Sequence, residues 1–425
     1  MSKTTEQVKQ GLKKRYKKEH RFRRLGFSAI VAAFLFLVFL FASIITQSLP
    51  AFTLNSVNME VNFDPKILKL EPGETDANKL QKGKYAKLVS TTLYQNFPDI
   101  SERADKRKLR KLLSGEAKYH LRDMVVANPA LIGTTKTVAF LVGDDVDTFI
   151  KEGGLTSDKL ISNRLNDRQI GWIRQWHQNG QLDSRFNWTF FTNPDSRAPE
   201  LAGIKGALTG TFLTILVTIA LAFPIGVFAA IYLEEFAPKN KITDWIEINI
   251  NNLAAVPSIV FGLLGLAVFI NLAGMPRSVP LVGGLVLALM TLPTIIISSR
   301  SAIKAVPPSI KDAALGLGAS KMQTVFHQIL PQAMPGILTG GIIGVAQAIG
   351  ETAPLLMIGM VAFIVDVPQT LTDSATVLPV QIYIWADSPE RAFTAKTSAA
   401  ILVLLTVLML INATAVYLRK KLEKE

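Results

Sequence analysis

The feature that most constrains this chain is a series of long segments almost free of charged side chains. The first runs from Leu25 to Ser48 and contains no charged residue. A helix of about 20 apolar residues spans the roughly 30 Å hydrocarbon core of a bilayer, so this segment is predicted to cross a membrane. We expect it to be retained and not cleaved as a signal peptide, because its apolar core exceeds the roughly 7 to 15 residues typical of signal peptides.

Five more segments of this kind follow, and each is long enough to cross: residues 206–232, 252–273, 279–298, 335–363 and 397–418. Six crossings place both termini on the same side of the membrane. Residues 1–24 hold ten Lys or Arg against two acids, and the last residues, 419–425, are also rich in Lys and Arg. Because positive charge marks cytoplasmic segments, both termini are predicted to be cytoplasmic.

Two internal loops bear on this orientation in opposite ways. The loop between the fourth and fifth spans agrees with it, since it carries four cations and one acid: Arg300, Lys304, Lys311, Lys321 and Asp312. The loop after the second span does not support it, since four acids stand against two lysines: Glu234, Glu235, Asp244, Glu247, Lys239 and Lys241.

Composition excludes several kinds of site. The chain has no cysteine and only four scattered histidines, so disulfides, thiolate chemistry and a metal centre are not expected. The net charge of +13 lies largely in the N-terminal basic segment, directly beside a membrane helix. This position indicates a topology signal and contact with anionic lipid, not binding of nucleic acid.

Residues 49–200 form a long polar region that the topology places outside the cytoplasm. It is long enough for a folded domain. Residues 101–126 are predicted as an amphipathic helix, and residues 135–143 and 186–191 as strands, so an α/β or α+β domain is expected. Three neighbouring acids, at positions 144, 145 and 147, are predicted as a solvated turn, because the spacing and glycine of a calcium loop are missing.

The segment KDAALGLGASKMQTVFHQILPQAMPG, residues 311–336, is predicted to form a helix, a turn and a second helix. Asp312 is favourable at the positive end of the first helix. Gly316 and Gly318 end that helix, and Pro331 ends or bends the second. Two short helices with small residues on their faces make a compact knob that suits a groove on a partner.

This segment resembles the cytoplasmic loop of ABC-importer permeases, which has a Glu-Ala-Ala…Gly…Ile-x-Leu-Pro pattern. The matching residues are Asp312, Ala313, Ala314, Gly318, Leu330 and Pro331. The chain departs from the pattern by Asp in place of Glu at 312 and by Gln328 in place of an aliphatic residue. The resemblance implies that a coupling loop, residues 299–334, docks on a cytoplasmic ATPase and transmits its closure to the pore.

The fifth predicted span contains an acid, Glu351, within an apolar segment. A carboxylate inside a bilayer costs a few kcal/mol and is by default functional or paired inside the bundle. Gly350 and Pro354 flank it, so we expect the helix to open here and leave backbone groups free in a water-lined cavity. The alternative is a buried acid that only pins two helices together.

The string GETAPLL, residues 350–356, resembles the signature of the phosphate-specific ABC permeases of the PstA type. Residues 256–263 (VPSIVFGL) and 292–297 (LPTIII) resemble the same family, and with the loop the resemblance covers most of residues 205–415. Gln347 departs from it, because many family members carry Arg at this position.

The resemblance implies phosphate as substrate, and phosphate keeps a hydroxyl that sulfate lacks. A selective path therefore needs hydrogen-bond donors and one acceptor. The candidate path residues are Arg300, Ser298, Ser299, Thr352 and Glu351. Arg300 offers a bidentate fork to two phosphate oxygens, the hydroxyls add donors, and Glu351 accepts the phosphate proton. If both helices are straight, Arg300 lies several turns from Glu351, and its alternative role is that of an ordinary cytoplasmic-side cation.

The predicted fold is an α-helical polytopic membrane protein with six transmembrane helices. Its ABC-importer permease-like core, residues 201–418, follows the inserted extracytoplasmic domain. No G-x-x-x-x-G-K-[ST] motif is present, so the chain is predicted not to be an enzyme, and a separate subunit must hydrolyse ATP. No cofactor is expected.

The resemblance also implies partners and a location. The partners are a second permease subunit of the PstC type, a cytoplasmic ATPase dimer of the PstB type, a periplasmic phosphate-binding protein and membrane lipid. The location is the bacterial inner membrane, crossed several times. Two alternatives remain at this point: a permease for another oxyanion such as sulfate or molybdate, and a membrane sensor or scaffold in phosphate signalling.

Overall fold

A computed structural model describes residues 3–156, 164–361 and 363–422 of the chain. Parts of four predicted segments lie outside the described residues: 1–2 of the basic N-terminal segment, 157–163 of the extracytoplasmic domain, 362 of the fifth span and 423–425 of the C-terminal segment.

The chain begins with one long helix, α1 (Lys3–Ser48), which contains the described part of the basic segment and the whole first span. No proline interrupts this stretch, so the backbone has no boundary at Leu25, where the sequence predicts the span to start. None of the side chains in its most apolar part is buried by the rest of the protein. An uncovered apolar helix of this kind requires lipid around it.

The region after α1 folds, in its described part, into a small sheet covered by short helices. A 3₁₀ turn (Leu49–Phe52) leads into it. The elements are β1 (Thr53–Asn62), α2 (Pro65–Leu68), α3 (Ala77–Gln81), α4 (Tyr85–Asn96), α5 (Arg103–Arg110), α6 (Ala117–Ala127), β2 (Thr135–Leu141), α7 (Asp144–Lys151), α8 (Asp167–Gln178), β3 (Leu182–Phe186) and α9 (Thr189–Thr192).

The sheet is antiparallel, with β1 between β2 and β3. Alternate apolar residues of β1, among them Val57 and Val61, are fully buried and share a core with Phe140 of β2 and Trp176 of α8. Because alternate side chains of a strand point to the same face, one face of β1 is apolar and packs against the helices. The prediction of a strand at residues 135–143 is confirmed by β2.

Two secondary-structure predictions for this domain are wrong. Residues 101–126 form two helices, α5 and α6, because Leu113 leaves the helical path and pairs with Val142 in a β-bridge. Residues 186–191 are mostly not a strand, because Asn187 turns the chain after β3. Its side chain donates to the Ala51 carbonyl (2.9 Å) and accepts from the Phe190 N–H (3.2 Å).

The predicted solvated turn of acids is also wrong, because the three residues form the first turn of α7. Asp147 is buried, and its carboxylate accepts from Asn55 Nδ2 at 2.9 Å and from Lys151 Nζ at 2.6 Å. Acids are favourable in a first helical turn, where the backbone N–H groups are unpaired.

The rest of the described chain is dominated by long helices. They are α10 (Lys205–Ile231), α11 (Lys241–Ala254), α12 (Ser258–Gly265), α13 (Pro280–Lys304), α14 (Pro308–Gly316), α15 (Lys321–Thr324), α16 (Leu330–Gly350), α17 (Ala353–Met357), α18 (Leu378–Ala386) and α19 (Ala392–Leu422). Three π-helical segments extend these helices. Tyr232–Phe236 continues α10, Leu266–Leu272 continues α12, and Val325–Ile329 joins α15 to α16.

Within the described residues, five helices are long and apolar enough to cross a membrane, and the pair α11 and α12, bent by 100°, makes a sixth if it counts as one span. The third predicted span, 252–273, is therefore correct only in its second part. Its first residues belong to α11 and to the bend. Pro257 accounts for the bend, because it lacks an N–H and keeps the preceding residue out of the helical region.

The bundle is centred on α13, which packs against α10 and α16 and is the most buried of the five long apolar helices. We call the end of the bundle where α1 finishes and α10 begins the domain end, because the β-sheet domain is attached there. The opposite end, where α13 finishes at Lys304, is the loop end. Helices α1 and α19 pack side by side in opposite directions, so their outer termini both lie at the loop end.

Candidate functional site

The helix of the fifth predicted segment, 335–363, stops at Gly350, so the prediction that the helix opens beside Glu351 is confirmed. Helix α16 ends at Gly350, Glu351 adopts an extended backbone (φ −80°, ψ 124°), and α17 begins at Ala353. Pro354 lies in the first turn of α17, where the missing N–H of proline removes no helical hydrogen bond. The backbone is therefore open at the acid, between two helices.

The side chain of Glu351 is partly exposed. Its carboxylate has no hydrogen-bonding or ionic partner among the residues that the structure describes. The interpretation of Glu351 as a pin between two helices needs such a partner. Thr352, also partly exposed, follows it directly and places a hydroxyl-bearing side chain beside the carboxylate.

The open segment packs against α12. A Cβ added to Gly262 would lie 2.6 Å from Pro354 Cα, so the two backbones approach as closely as glycine alone permits. Two stretches that are far apart in sequence, residues 256–263 and 350–356, thus form one surface near the domain end.

The depth of Glu351 follows from the contacts between α16 and α13. Three glycines of α16 face three residues of α13, pairwise Gly336 with Ala302, Gly340 with Ser298 and Gly344 with Ile295. If this antiparallel register is continued for two more turns of α16, Glu351 lies level with a point on α13 roughly 14 residues before Arg300. This separation is about 20 Å along the axis of α13. The structure therefore does not bring Arg300 and Glu351 together.

The two predicted serines lie inside the helix packing. Ser298 Oγ donates to the Thr294 carbonyl at 2.8 Å, and the side chain is covered by Gly340 of α16. Ser299 is fully buried, and its hydroxyl has no hydrogen-bonding partner in the described part of the chain. Both sit toward the loop end, away from Glu351.

Arg300 is held between two carboxylates. Its Nε donates to Glu234 Oε1 at 2.5 Å and its Nη2 lies 2.6 Å from Glu247 Oε1. The side chain of Arg300 is only 10% exposed and that of Glu234 only 11%. Lys304 adds a more exposed contact to Glu234 at 3.2 Å. This cluster ties α13 to the π turn after α10 and to α11.

A second ion pair connects the predicted coupling loop to the same π turn. Lys311 Nζ of α14 donates to Glu235 Oε2 at 2.5 Å. Adjacent acids after α10 thus contact two different partners: Glu234 contacts the end of α13, and Glu235 contacts the loop. This pair therefore connects α14 to the end of α10.

These acids are the functional residues that sequence reasoning missed. The sequence treats the loop after the second span as an exception to the positive-inside bias. In the structure, Glu234, Glu235 and Glu247 are neutralised by Arg300, Lys304 and Lys311. The signal was the pair of acids directly after an apolar span, but their partners lie more than 50 positions later in the sequence.

The coupling loop itself forms a compact exposed knob. Helix α14 ends before Gly318, whose φ of 88° suits glycine, and Ser320 with Gln323 forms a capping box at the start of α15. Leu317 is 90% exposed and Met322 58%. These two apolar side chains are therefore left uncovered on the surface of the knob.

Of the two alternatives predicted for Pro331, that it ends or bends the second helix, the first is wrong. The helix does not end there but continues from α15 through the π turn Val325–Ile329 into α16. A π turn shifts the hydrogen-bonding pattern by one residue and so accommodates a proline without a helix break. Of the other predicted loop residues, Asp312 and Ala313 are exposed, while Ala314 and Leu330 are partly buried.

A buried polar junction fixes the β-sheet domain to the last helix. Asp144 Oδ1 accepts from the N–H of Ala392, the first residue of α19, at 3.2 Å. Lys396, one turn further, is buried and donates to the Ala202 carbonyl. Burial, followed by the nearby charge of Asp145, raises the pKa of Asp144 to about 6. The charge state of Asp144 therefore changes near neutral pH.

No group of three or more His, Cys, Asp or Glu in the described residues is arranged to hold a metal ion.

Two family models match the chain. Residues 222–424 match the binding-protein-dependent transport system inner membrane component, and residues 9–158 match a domain of unknown function, DUF3333. The first match contains the open segment, the coupling loop and the Arg300 cluster.

Curated relatives match about half of the chain. The phosphate transport system permease protein PstA of Yersinia pestis is 30% identical over 236 residues, 55% of this chain and 78% of the relative. PstA of Mycobacterium leprae is 31% identical over 233 residues, 54% of this chain and 75% of the relative. The probable ABC transporter permease YqgI of Bacillus subtilis is 36% identical over 173 residues, which are 41% of this chain and 58% of that relative's length.

Among solved structures, the inward-facing MetNI methionine ABC transporter matches 50% of this chain and 94% of its own, at 18% identity and a TM-score of 0.41.

Proposed function

The chain belongs to the family of inner membrane components of binding-protein-dependent transport systems, and on this premise we propose that it is the PstA-type permease subunit of an ATP-driven phosphate importer. It forms half of the translocation path, and a second permease subunit of the PstC type forms the other half. The relatives named as PstA permeases, of which the chain covers three quarters or more, support phosphate as the substrate.

The observation that carries the proposal is the carboxylate of Glu351 at the helix break, which has no partner in the described part of the chain. Phosphate near neutral pH retains a hydroxyl, and an ionised carboxylate accepts its proton in a hydrogen bond. Thr352 and the backbone N–H groups freed at the break supply donors to the phosphate oxygens. Sulfate has no proton to donate, so it meets an unfavourable contact with the same carboxylate.

We propose that Arg300, Ser298 and Ser299 lie off the substrate path, and their position at the loop end supports this. The guanidinium of Arg300 already binds two carboxylates at the loop end, about 20 Å from the proposed phosphate contact. We assign this cluster to holding the loop end of α13 in place.

The coupling loop is the proposed docking site of the ATPase dimer. Its exposed apolar side chains, Leu317 and Met322, enter a groove of the ATPase, and the Lys311–Glu235 pair carries the movement of α14 to α10. The loop end then faces the cytoplasm, both termini are cytoplasmic, and the β-sheet domain faces the periplasm. A periplasmic phosphate-binding protein delivers the substrate at the domain end.

The test is ATP-driven uptake of labelled phosphate into proteoliposomes that contain the complete transporter. We expect unlabelled phosphate, but not sulfate or molybdate, to compete. Glu351→Gln should abolish uptake while the complex still assembles. Glu60→Gln, the same chemical change at an exposed position of β1, is the matched control and should transport normally.

Three results would contradict the proposal in different ways. Equal competition by sulfate or molybdate would assign the chain to another oxyanion. Normal uptake by Glu351→Gln would place the phosphate path elsewhere. No ATP-dependent uptake by an assembled complex would favour a sensor or scaffold.

A further inference from the structure

An aromatic surface lies where the β-sheet domain meets the membrane helices. We call it the aromatic patch and define it by Leu49, Phe52, Phe186, Trp188 and Phe191. Four of these side chains are well exposed: Leu49 at 59%, Phe186 at 49%, Trp188 at 68% and Phe191 at 36%. Exposed apolar side chains gathered in this way mark an interaction surface.

The patch is rigid. The ring of Phe52 is stacked on Phe186 and on Phe191, at centroid distances of 6.3 and 6.1 Å, and Trp188 meets Phe186 edge to face at 5.0 Å. The buried Asn187 holds the arrangement, because its backbone N–H donates to the Phe52 carbonyl at 2.9 Å. The rings are therefore held as one surface and not on a flexible loop.

The position of the patch points to its partner. Leu49 follows the last residue of α1, a helix whose apolar part is covered by no other element of the chain. On the other side, the Phe190 carbonyl accepts from the N–H of Ile204, directly before α10 begins at Lys205. The patch is thus continuous with the surface of two helices as they leave the hydrocarbon.

The chemistry of the patch matches the same partner. A Trp ring at the end of a membrane helix favours the zone between lipid headgroups and acyl chains. Neighbouring Phe and Leu side chains bury their apolar surface at the same boundary. Lys205, exposed at the start of α10, can contact lipid phosphates. Aromatic rings at the end of a membrane helix that carries a cation fit a lipid surface.

We propose that the aromatic patch inserts into the headgroup zone of the leaflet at the domain end and docks the β-sheet domain on the bilayer. The partner is lipid, and the domain is held against the membrane at one end of its sheet. The far end of β1, at Asn62, then lies about 30 Å along the strand from Thr53, since nine steps extend roughly 3.3 Å each.

Spin labelling tests this proposal, and the absence of cysteine from the chain allows single labels to be placed cleanly. Trp188→Cys and Leu49→Cys would be spin-labelled and assembled into the complete transporter in proteoliposomes. The matched control is Thr135→Cys, an exposed position that pairs with Asn62 at the far end of the sheet. The measurement is the collision rate of each label with oxygen, which concentrates in lipid, and with a water-soluble nickel chelate.

We expect the labels at 188 and 49 to collide more with oxygen than with nickel, and the label at 135 to show the reverse. Nickel-dominated collisions at 188 and 49 would overturn the proposal, because the patch would face water. Protection from both reagents would also overturn it, because a protein would cover the patch. Keeping Trp188 intact in the Leu49→Cys variant ensures that the result does not depend on removing the indole.

Discussion

Replacing Arg300 by Met is the perturbation that most directly tests the Arg300 cluster at the loop end. The change removes a guanidinium that is 10% exposed and leaves two carboxylates, Glu234 and Glu247, without their main partner. Breaking a buried ion pair from one side costs about 3–5 kcal/mol, because the remaining charge stays desolvated. For a unit of this size, such a cost lowers the thermal midpoint by about 10 °C.

Lys304→Met is the matched control for this variant. Lys304 contacts the same Glu234 carboxylate at 3.2 Å, but its side chain is 62% exposed. An exposed pair contributes at most about 1 kcal/mol, so the control should lose no more than about 3 °C. Both variants remove one positive charge beside Glu234. They differ in that the Arg300 side chain is buried and also binds Glu247, whereas the Lys304 side chain is exposed and binds Glu234 alone among the described residues.

The assay is thermal unfolding of the protein in lipid nanodiscs, followed by size-exclusion chromatography of the soluble fraction. Adding Glu234→Gln and Glu247→Gln to Arg300→Met should recover much of the loss, because the only charge then left without its partner, that of Lys304, is exposed to water. The reasoning is refuted if Arg300→Met and Lys304→Met lose equal stability, or if the triple variant is less stable than Arg300→Met alone. A raised KM for phosphate at unchanged stability would instead return Arg300 to the substrate path.

Three further predictions follow from single contacts. Gly262→Val places a branched side chain against the α17 backbone and should strongly reduce the yield of folded protein. Gly316→Ala is the control and should not, because its added Cβ meets no atom within 4 Å. The measurement is the amount of monodisperse protein recovered after detergent extraction. Lys311→Met should leave ATPase activity of the assembled transporter in place but lower the phosphate moved per ATP, and equal coupling to wild type would contradict the role of this ion pair. Asp144 has a pKa raised to about 6, so protonation stabilises the folded state below its unfolded pKa, and this contribution is lost as pH rises through about 6. After allowance for the partial exposure of Asp144, protonation changes the free energy of unfolding by about 1–2 kcal/mol. The thermal midpoint should therefore fall between pH 5 and 7.5 in wild type and change less in Asp144→Asn. Equal slopes in the two proteins would refute this role of Asp144.

Much of the architecture could be predicted from local sequence. Apolar length alone located the helices at 206–232, 279–298 and 397–418, because in lipid a backbone must satisfy its hydrogen bonds within a helix. The alternation of residues 135–143 likewise located β2. Errors occurred where the chain changes direction over a few residues, as at Asn187 and at Pro257, since such turns depend on partners elsewhere in the fold.

Some features of the candidate site could likewise be predicted from local sequence, and others depend on contacts between distant segments. The sequence identified Glu351 as an unusual acid and located the helix break beside Gly350. Both were predictable because a charge in an apolar segment and helix-breaking residues are local properties. It also identified the coupling loop from its motif. It could not show that residues 256–263 pack on this segment, because that contact depends on the close approach of Gly262 to another helix.

What the sequence by itself determined is therefore the membrane character of the chain, the order of its helices and the position of an acid within an apolar segment. Only the tertiary structure decided that Glu351 has no partner among the described residues, whereas Arg300 has two carboxylate partners. The physical reason is that the energy of a charge depends on what surrounds it in space. The partners of Arg300 lie 66 and 53 positions earlier in the chain and meet it only after α10, α11 and α13 have packed.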